Sequence, residues 1–329
     1  MDPILREDDA SDVLADRLED RAMSGSGGGS SRRGGKGGGI GGGKRGGGEG
    51  GRDRREVDLS RALSRLLRHQ AGNAGIELDR EGFVGLERVL QWGPLRSLAP
   101  TFPEILNAVH NSDKQRFALK PNPATNPDLD ESSTDPSHWL IRANQGHSIK
   151  LDSEHLLKPL ALPSTNKDGG STTLPEGTVA IPPAVIHGTY FAFWPAIVAS
   201  GGLKPMGRNH VHFSTGLPED AEAGGVISGM RRDAELLIHV DVAASIEEAG
   251  IKWWMSDNGV VLTEGGAADG LVPLKYFKEV VGRRQGVGLL WEDGEHVADL
   301  PAGLEIRAPH GKGRGGGGGR GRGGRGRGR

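Results

Sequence analysis

The sequence predicts an α+β protein whose first half is rich in short helices and whose second half is built mainly of strands. Four leucines between positions 59 and 67 recur at the spacing of one helix face, which indicates an early helix. Residues 116–119 and 139–142 are predicted to pair as a hairpin. From Val179 onward, short apolar segments separated by turn residues indicate a mostly β region.

The N-terminal half is predicted to be winged-helix-like, because short helices precede a two-stranded hairpin. Its first helix is expected to start at Asp58 or Ser60, either of which can cap it, and to end at Gly72 and Gly75. The hairpin contains a long loop rich in Pro, Asn, Asp and Ser, at 120–137. The elements predicted between the first helix and the hairpin are a strand at 83–84 and helices at 86–90 and 102–111.

The C-terminal half is predicted to contain one helix, at 193–200, among several strands. A strand or short helix from Lys275 is expected to close the fold, and periodicity is lost after about Val281. The predicted strands are 184–187, 211–214, 235–242, 253–255, 260–263 and 271–273.

These patterns divide the chain into five parts. Gly/Arg-rich ends cannot bury enough apolar area to offset chain entropy, so they are predicted to be disordered. The parts are an acidic and then Gly/Arg-rich tail at 1–56, the winged-helix-like lobe at 57–160, a linker or insertion at 161–178, the mostly β lobe at 179–282, and a disordered extension with an Arg-Gly tail at 283–329.

The formal net charge of −2 conceals an uneven distribution of charge. Residues 24–52 contain six Lys/Arg and one Asp/Glu, and residues 311–329 contain seven Lys/Arg and no acid. The rest of the chain is therefore acidic. Cationic ends on an acidic body predict contact with a polyanion, for which nucleic acid is the usual candidate.

Several function classes are excluded or disfavoured by residue content. The chain has no cysteine, which excludes disulfides, thiolate catalysis and cysteine-bound zinc. No secretory signal or membrane-spanning stretch is predicted, so we expect a soluble nuclear or cytoplasmic protein. We also expect a monomer. His210 and His212 share a strand face but have no third ligand nearby, so no metal is expected. Ser214 and Ser228 lack the glycine-flanked turn of hydrolase nucleophiles.

Three basic clusters, far apart in sequence, predict a phosphate site if the fold brings them together. An arginine fork binds phosphate through paired, charge-assisted hydrogen bonds. A histidine beside it can hydrogen-bond a phosphate oxygen or transfer a proton near neutral pH. The clusters are Arg68 with His69, Arg142 in the polar segment 141–148, and Arg231 with Arg232.

Nine short motifs follow one another in order, and the series is more specific than any single motif. They are LSRALSRLLRHQA (59–71), EGFVGLERVL (81–90), QRFAL (115–119), IRANQGHS (141–148), HGTY (187–190), GLKPMGRNHVHFS (202–214), VISGMRRDAELLIHVDV (226–242), SDNGVVLTEG (256–265) and PLKYF (273–277). The series resembles the NAD-dependent RNA 2′-phosphotransferases of tRNA splicing. It covers roughly 58–282, and the insertions at 120–137 and 162–177 depart from the family pattern.

The resemblance implies that the C-terminal lobe has the NAD-binding fold of ADP-ribosyltransferases. It implies two substrates, NAD and an RNA with an internal 2′-phosphate, such as ligated tRNA. In the family reaction the 2′-phosphate attacks ribose C1″ of NAD and expels nicotinamide, which gives an ADP-ribosylated RNA 2′-phosphate. The ribose 2″-hydroxyl then attacks phosphorus. The products are RNA with a 2′-hydroxyl and ADP-ribose 1″,2″-cyclic phosphate.

The resemblance also assigns site residues, by motif position. Glu264 is expected to pack or cap rather than to act in catalysis, and Arg232 is a second candidate for the role given to Arg231. The catalytic positions are Arg68, His69, Arg142 and Arg231. The cofactor-binding positions are His187, Gly188, Thr189, Arg208, Asn209, His212 and Val261.

Two alternatives stay open. The same pocket could ADP-ribosylate terminal phosphates of nucleic acids and stop after the first step. In a different class, the chain could be a non-catalytic RNA-binding protein that acts through its Arg-Gly tails, although the presence of all four catalytic positions argues against this.

Deleting residues 311–329 is expected to weaken RNA binding mainly at low salt, because arginine–phosphate contacts gain their free energy by releasing counterions. Fluorescence anisotropy titrations of one RNA over a series of salt concentrations measure this effect. An affinity equal to that of the full chain at every salt concentration would contradict a role for the tail.

Overall fold

A computed structural model describes residues 49–112, 114–165, 172–217, 229–230 and 233–306. It is a mixed α+β structure, as predicted, and its two largest apolar cores define an N-terminal and a C-terminal lobe. In these described ranges no helix combines the length and apolarity needed to cross a bilayer. Residues 1–48 and 307–329, which belong to the tails predicted at 1–56 and 283–329, lie outside the described residues.

The first helix, α1, covers Glu49–Arg65 and continues as a π-helical turn over Leu66–Gln70. The predicted leucine face is buried, and Gly75 ends the segment with a left-handed φ of 67°. The predicted start is wrong, because neither Asp58 nor Ser60 lies at the first turn. The guanidinium of Arg55 donates hydrogen bonds to Glu104 and to the Ala99 carbonyl, and this tertiary contact holds the extra turns in place. Residues 49–56 are therefore helical rather than disordered.

The remainder of the N-terminal lobe follows the predicted order and adds one short helix that was not predicted, α3. Three antiparallel strands form a sheet in the order β1-β3-β2, and the predicted hairpin is its β2–β3 pair. Because β3 is the central strand, the polar segment that follows it leaves from the middle of the sheet. The elements are β1 (Val84–Gly85), α2 (Leu86–Leu90), α3 (Gly93–Leu98), α4 (Phe102–His110), β2 (Phe117–Pro121) and β3 (Trp139–Ala143).

The C-terminal lobe contains two five-stranded sheets, ordered β10-β13-β12-β4-β7 and β17-β16-β15-β11-β8, and a large shared core. The elements are α5 (Ser153–Leu156), β4 (Lys158–Ala161), β5 (Ser164–Thr165), β6 (Thr172–Thr173), β7 (Val179–Ala180), β8 (Ile186–Thr189), α6 (Trp194–Ala199), β9 (Gly202–Leu203), β10 (Val211–Phe213), β11 (Leu236–Val240), α7 (Val242–Ala249), β12 (Trp254–Met255), β13 (Val261–Thr263), β14 (Val272–Pro273), β15 (Phe277–Gly282), β16 (Leu289–Glu292) and β17 (Glu295–His296).

The six predicted strands and the 193–200 helix are present, with ends shifted by one or two residues. The strand predicted at 235–242 stops at Val240, because the Asp241 side chain accepts a hydrogen bond from Ala244 N at 2.9 Å and caps α7. Helix α7 was not predicted.

Two further predicted boundaries are wrong. The predicted disordered extension at 283–329 contains β16 and β17, and β16 pairs with β15 and buries Leu290 and Trp291. These strands are too short to show a period in the sequence. At the other boundary, Leu156 and Leu157 pack with the C-terminal lobe, and β4 pairs with β12. The C-terminal lobe therefore takes in residues that were assigned to the first lobe and to the linker.

The two sheets of the C-terminal lobe meet at one edge. An isolated antiparallel bridge joins Ile186 of β8 to Ser214, directly after β10, with hydrogen bonds of 2.9 and 2.8 Å between their backbones. This bridge places the motif HGTY beside the motif that contains His212.

Replacing Gly202 by alanine is expected to destabilise the protein by about 2–4 kcal/mol. Its φ is 151°, and an added Cβ would lie 2.0 Å from the Val272 carbonyl oxygen across the β9–β14 pair. Urea denaturation compares this variant with Gly93→Ala, since nothing lies within 4 Å of a Cβ at Gly93. Equal losses of stability in the two variants would contradict the steric account.

Candidate active site

A buried polar segment, residues 144–149, lies between the two lobes. It follows β3, and the side chains of Asn144, Gln145 and His147 in it are buried. From the N-terminal side, the carbonyl oxygen of Arg68 accepts hydrogen bonds from the backbone amides of Ser148 (3.1 Å) and Ile149 (3.3 Å). The segment is thereby fixed to the π-helical turn at the end of α1.

The C-terminal lobe holds the same segment from the other side. Asn209 donates its backbone N–H to the His147 carbonyl at 2.9 Å and its side-chain Nδ2 to the Ile149 carbonyl at 2.7 Å. Asn209, predicted as a cofactor-binding residue, is thus also a link between the lobes. Arg208, predicted for the same role, is its neighbour in the loop before β10.

Arg68 and His69 both lie against the 144–149 segment. Arg68 is 2% exposed, and a Cβ on Gly146 would lie 3.4 Å from three atoms of its guanidinium. Gly146 also has a φ of 88°, a backbone conformation that favours glycine. The Nδ1 atom of His69 lies 2.9 Å from the hydroxyl of Ser148. Two of the three predicted basic clusters are therefore brought together.

Arg142, in β3, is held by three contacts. Its Nη1 donates to the Glu81 carbonyl at 2.9 Å, its Nη2 donates to the carboxylate of Asp257 in the C-terminal lobe, and its guanidinium lies 4.7 Å from the centroid of the Phe83 ring. Arg142 is 8% exposed. It is a buried cation whose carboxylate partner comes from the other lobe.

His147 lies among the positive groups of the site. Burial is the main cause that lowers the pKa of His147 to about 3, and the positive charges of its neighbours contribute to the same shift. The imidazole is therefore neutral at physiological pH. Within the described part of the chain its Nε2 atom, which is buried, has no hydrogen-bond partner. The neighbours are Arg68, His69, His210 and Arg142.

A second polar group connects α5 to β10 and β13. The hydroxyl of Ser153 donates to Glu264 at 2.7 Å and lies 2.9 Å from Nε2 of His210. Since the hydroxyl has one hydrogen, His210 must donate to it. Burial lowers the pKa of His210, and the nearby carboxylate of Glu264 partly opposes this. In a catalytic Ser-His-acid triad the histidine lies between the serine and the acid. Here the serine lies between the histidine and the acid, so the group is not arranged to activate the serine as a nucleophile.

Five of the residues predicted to bind the cofactor lie on the neighbouring strands β8, β10 and β13. His187 on β8 places its Nδ1 atom 3.0 Å from the His212 carbonyl on β10. Val261 on β13 is fully buried and pairs with Phe213. Thr189 is buried at the end of β8.

Gly188 has a packing requirement of its own, because an added Cβ would lie 2.7 Å from Cγ of Met230. Arg231 and Arg232, the third predicted cluster, follow Met230 and lie outside the described residues.

In the described ranges, no group of three or more His, Asp and Glu side chains is arranged to hold a metal ion.

Three residues in this arrangement, His147, Ser153 and Asp257, were not assigned from the sequence. His147 and Asp257 lie inside the motifs IRANQGHS and SDNGVVLTEG, but neither spacing nor residue type indicates their contacts. Asp257 meets Arg142 across 115 positions of sequence. The Ser153–His210 contact likewise joins distant segments.

A two-lobed α+β chain with arginine and histidine side chains gathered at the lobe junction has the features of a transferase that acts on a phosphorylated substrate. The family model described as RNA 2′-phosphotransferase, Tpt1 / KptA family, matches residues 54–265. The chain belongs to this family of enzymes.

Individual relatives support the same assignment. The chain is 39% identical over 228 residues to the tRNA 2′-phosphotransferase 1 of Bos taurus, covering 69% of this chain and 76% of that protein. It is 33% identical over 232 residues to the tRNA 2′-phosphotransferase of Saccharomyces cerevisiae, covering 70% and 85%. It is 30% identical over 233 residues to the probable RNA 2′-phosphotransferase of Rhizobium johnstonii, covering 70% and 97%.

Acidification from pH 7 to pH 5 is expected to destabilise the protein by about 2 kcal/mol through His147 alone. The pKa of His147 is lowered to about 3 in the folded chain, so below about 6.5 only the unfolded chain takes up this proton. The stabilisation is present above pH 6.5 and is lost as pH falls towards 3. Urea denaturation at both pH values measures it. His147→Gln should lose less stability on acidification than the wild type. His155→Gln, a control at an exposed histidine, should lose as much stability as the wild type. Equal pH dependence in the wild type and His147→Gln would contradict the account.

Proposed function

We propose that this chain is an NAD-dependent RNA 2′-phosphotransferase that removes the splice-junction 2′-phosphate from ligated tRNA. Family membership supports the reaction class. The structural observation that carries the proposal is the 144–149 segment, which gathers Arg68 and His69 at the lobe junction, next to the end of the strand that contains Arg142. These groups suit a substrate that is a dianion.

In this proposal the arginines bind and neutralise the 2′-phosphate. A phosphate nucleophile is already ionised, so the protein has to orient it and offset its charge rather than remove a proton from it. Arg68 and Arg142 are buried, which strengthens their interaction with an anion. His69, oriented by Ser148, hydrogen-bonds a phosphate oxygen, and Arg231 is proposed as the third arginine.

NAD is proposed to bind against β8, β10 and β13. His212 is half-buried between the buried Val211 and Phe213, so its side chain is on the strand face directed away from the core. Within the described ranges, the buried atoms Gln145 Oε1 and His147 Nε2 have no hydrogen-bond partner, which fits a polar ligand at the lobe junction. NAD supplies an electrophilic ribose carbon and nicotinamide as leaving group. The proposed binding residues are His187, Gly188, Thr189, Arg208, Asn209, His212 and Val261.

The two lobes are proposed to correspond to a winged-helix-like unit and an ADP-ribosyltransferase-like unit. The first is supported by helices α1 to α4 packed on a three-stranded antiparallel sheet. The second is supported by two five-stranded sheets that meet where β8 and β10 are bridged.

The direct test incubates the protein with NAD and an RNA carrying one internal 2′-phosphate. The expected result is RNA with a 2′-hydroxyl, nicotinamide, and ADP-ribose 1″,2″-cyclic phosphate, with no NAD consumed when the RNA lacks the 2′-phosphate. RNA that keeps its phosphate while NAD stays intact would contradict the proposal. ADP-ribose retained on terminal phosphates would favour the capping alternative.

Arg68→Lys is expected to slow this reaction by about 100-fold, because lysine keeps the charge but loses the planar fork. Arg65→Ala is the matched control, since Arg65 is exposed on the same helix and should change the rate by less than about twofold. Thermal melts of both variants establish that they fold. Equal activity in the two variants would exclude Arg68 from the site.

A further inference from the structure

The turn between β12 and β13, residues 256–259, reaches from the C-terminal lobe to the N-terminal lobe. Its own hydrogen bonds make it rigid: the Ser256 hydroxyl lies 2.7 Å from Asn258 Oδ1, and Gly259 N donates to Ser256 O at 2.9 Å. Asn258 Nδ2 then donates to the carbonyl of Lys114 in the N-terminal lobe at 2.9 Å. The turn is therefore fixed at both ends when it presents Asp257.

Asp257 supplies the charged contact of Arg142. The guanidinium is planar, so the contacts of Nη1 with Glu81 O and of Nη2 with Asp257, together with the Phe83 ring, set its position and its rotation. The Arg142 side chain is 10% exposed, and the Asp257 side chain is 40% exposed. A buried guanidinium requires a counter-charge, whereas the carboxylate still contacts solvent.

The contacts leave part of the guanidinium available. Arg142 has five N–H groups, and two of them are used by Glu81 O and Asp257. Its Nε is buried and has no hydrogen-bond partner within the described ranges. The remaining N–H groups can donate to a phosphate while the Asp257 contact is kept.

We propose that Asp257 is the positioning residue for Arg142, so that the C-terminal lobe sets the orientation of a phosphate-binding arginine in the N-terminal lobe. This rests on the proposed function, in which Arg142 binds the RNA 2′-phosphate. Asp257 itself does not touch substrate. It acts by holding the guanidinium with its remaining donors directed at the phosphate.

The test measures the affinity of the full chain for an RNA with one internal 2′-phosphate, divided by its affinity for the same RNA with a 2′-hydroxyl. This ratio isolates the contribution of the phosphate. Asp257→Asn is expected to lower the ratio by about tenfold, because it keeps the shape and removes the charge. Binding of the unphosphorylated RNA and of ADP-ribose should stay unchanged. Asp257→Glu, which restores the charge, should recover part of the ratio.

Glu154→Gln is the matched control. It removes the charge from another carboxylate of the same lobe, which pairs with Lys252 at 2.7 Å with both side chains exposed. Such a pair contributes little, so the ratio should change by less than about twofold. Thermal melts of all variants separate a loss of phosphate binding from a loss of folding.

A double-mutant cycle with Arg142→Ala distinguishes positioning from other roles. If Asp257 acts through Arg142, the double variant should have the ratio of Arg142→Ala alone. The proposal would be overturned if Asp257→Asn lowered the affinity ratio in the Arg142→Ala background by the same factor as in the wild type. A higher ratio in Asp257→Asn would also overturn it, because this would mean that the carboxylate occupies the place of the phosphate.

The cycle also separates this inference from the proposed function. If Arg142→Ala loses the phosphate ratio and the wild type transfers the phosphate, but Asp257→Asn behaves as the wild type, only the positioning role is wrong. If Arg142→Ala keeps the full ratio, Arg142 does not bind the phosphate, and its proposed role and the inference both fail.

Discussion

The carbonyl oxygen of Arg68 and the two N–H donors of Asn209 hold the 144–149 segment from opposite sides. Buried backbone groups without partners are costly, so a polar segment can be buried between two cores only while both lobes supply those partners. The relative placement of the lobes and the geometry of the candidate site are therefore set by the same hydrogen bonds. A change that moves one lobe displaces the segment that carries His147 and Ser148.

The electrostatics of the site follow from this placement. Arg68 and Arg142 are buried within range of His147, whose pKa falls to about 3 mainly through burial and partly through their charge. The carboxylates in contact, Asp257 with Arg142 and Glu264 with Ser153, lie at the margin and are substantially exposed. Their charges are therefore screened by solvent more than those of the buried arginines. The interior keeps a positive potential, which destabilises the free protein and favours an anionic ligand.

The sequence predicted what depends on local pattern and missed what depends on distant contacts. The leucine face of α1 and the β2–β3 hairpin were found, because periodicity reports which face is buried. The start of α1 was missed because it is held by Arg55 on Glu104, 49 positions away. Strands β16 and β17 were missed because they are short edge additions, whose stability comes from pairing with β15 and its neighbours rather than from pattern.

The same distinction applies to the site. Motif resemblance predicted Arg68, His69 and Arg142 as site residues one by one, but their proximity to the 144–149 segment is a property of the fold. Asp257 could not have been found, because a carboxylate in a turn is usually a solvated turn former, and its partner is 115 positions away. The assignment of Arg231 stays a prediction, since it lies outside the described residues.

Under the proposed function, the charge of the substrate explains what the site contains. A hydroxyl or amide nucleophile needs a base, whereas an ionised phosphate needs cations and exact orientation in space. Val261, on the third strand of the proposed cofactor site, is fully buried in the core beside Phe213 and pairs with Met255, so the fold has an apolar side chain at this position rather than a carboxylate. Buried arginines, a neutral histidine and an apolar third strand thus form a consistent set, in which repulsion among the cations is relieved when the phosphate binds.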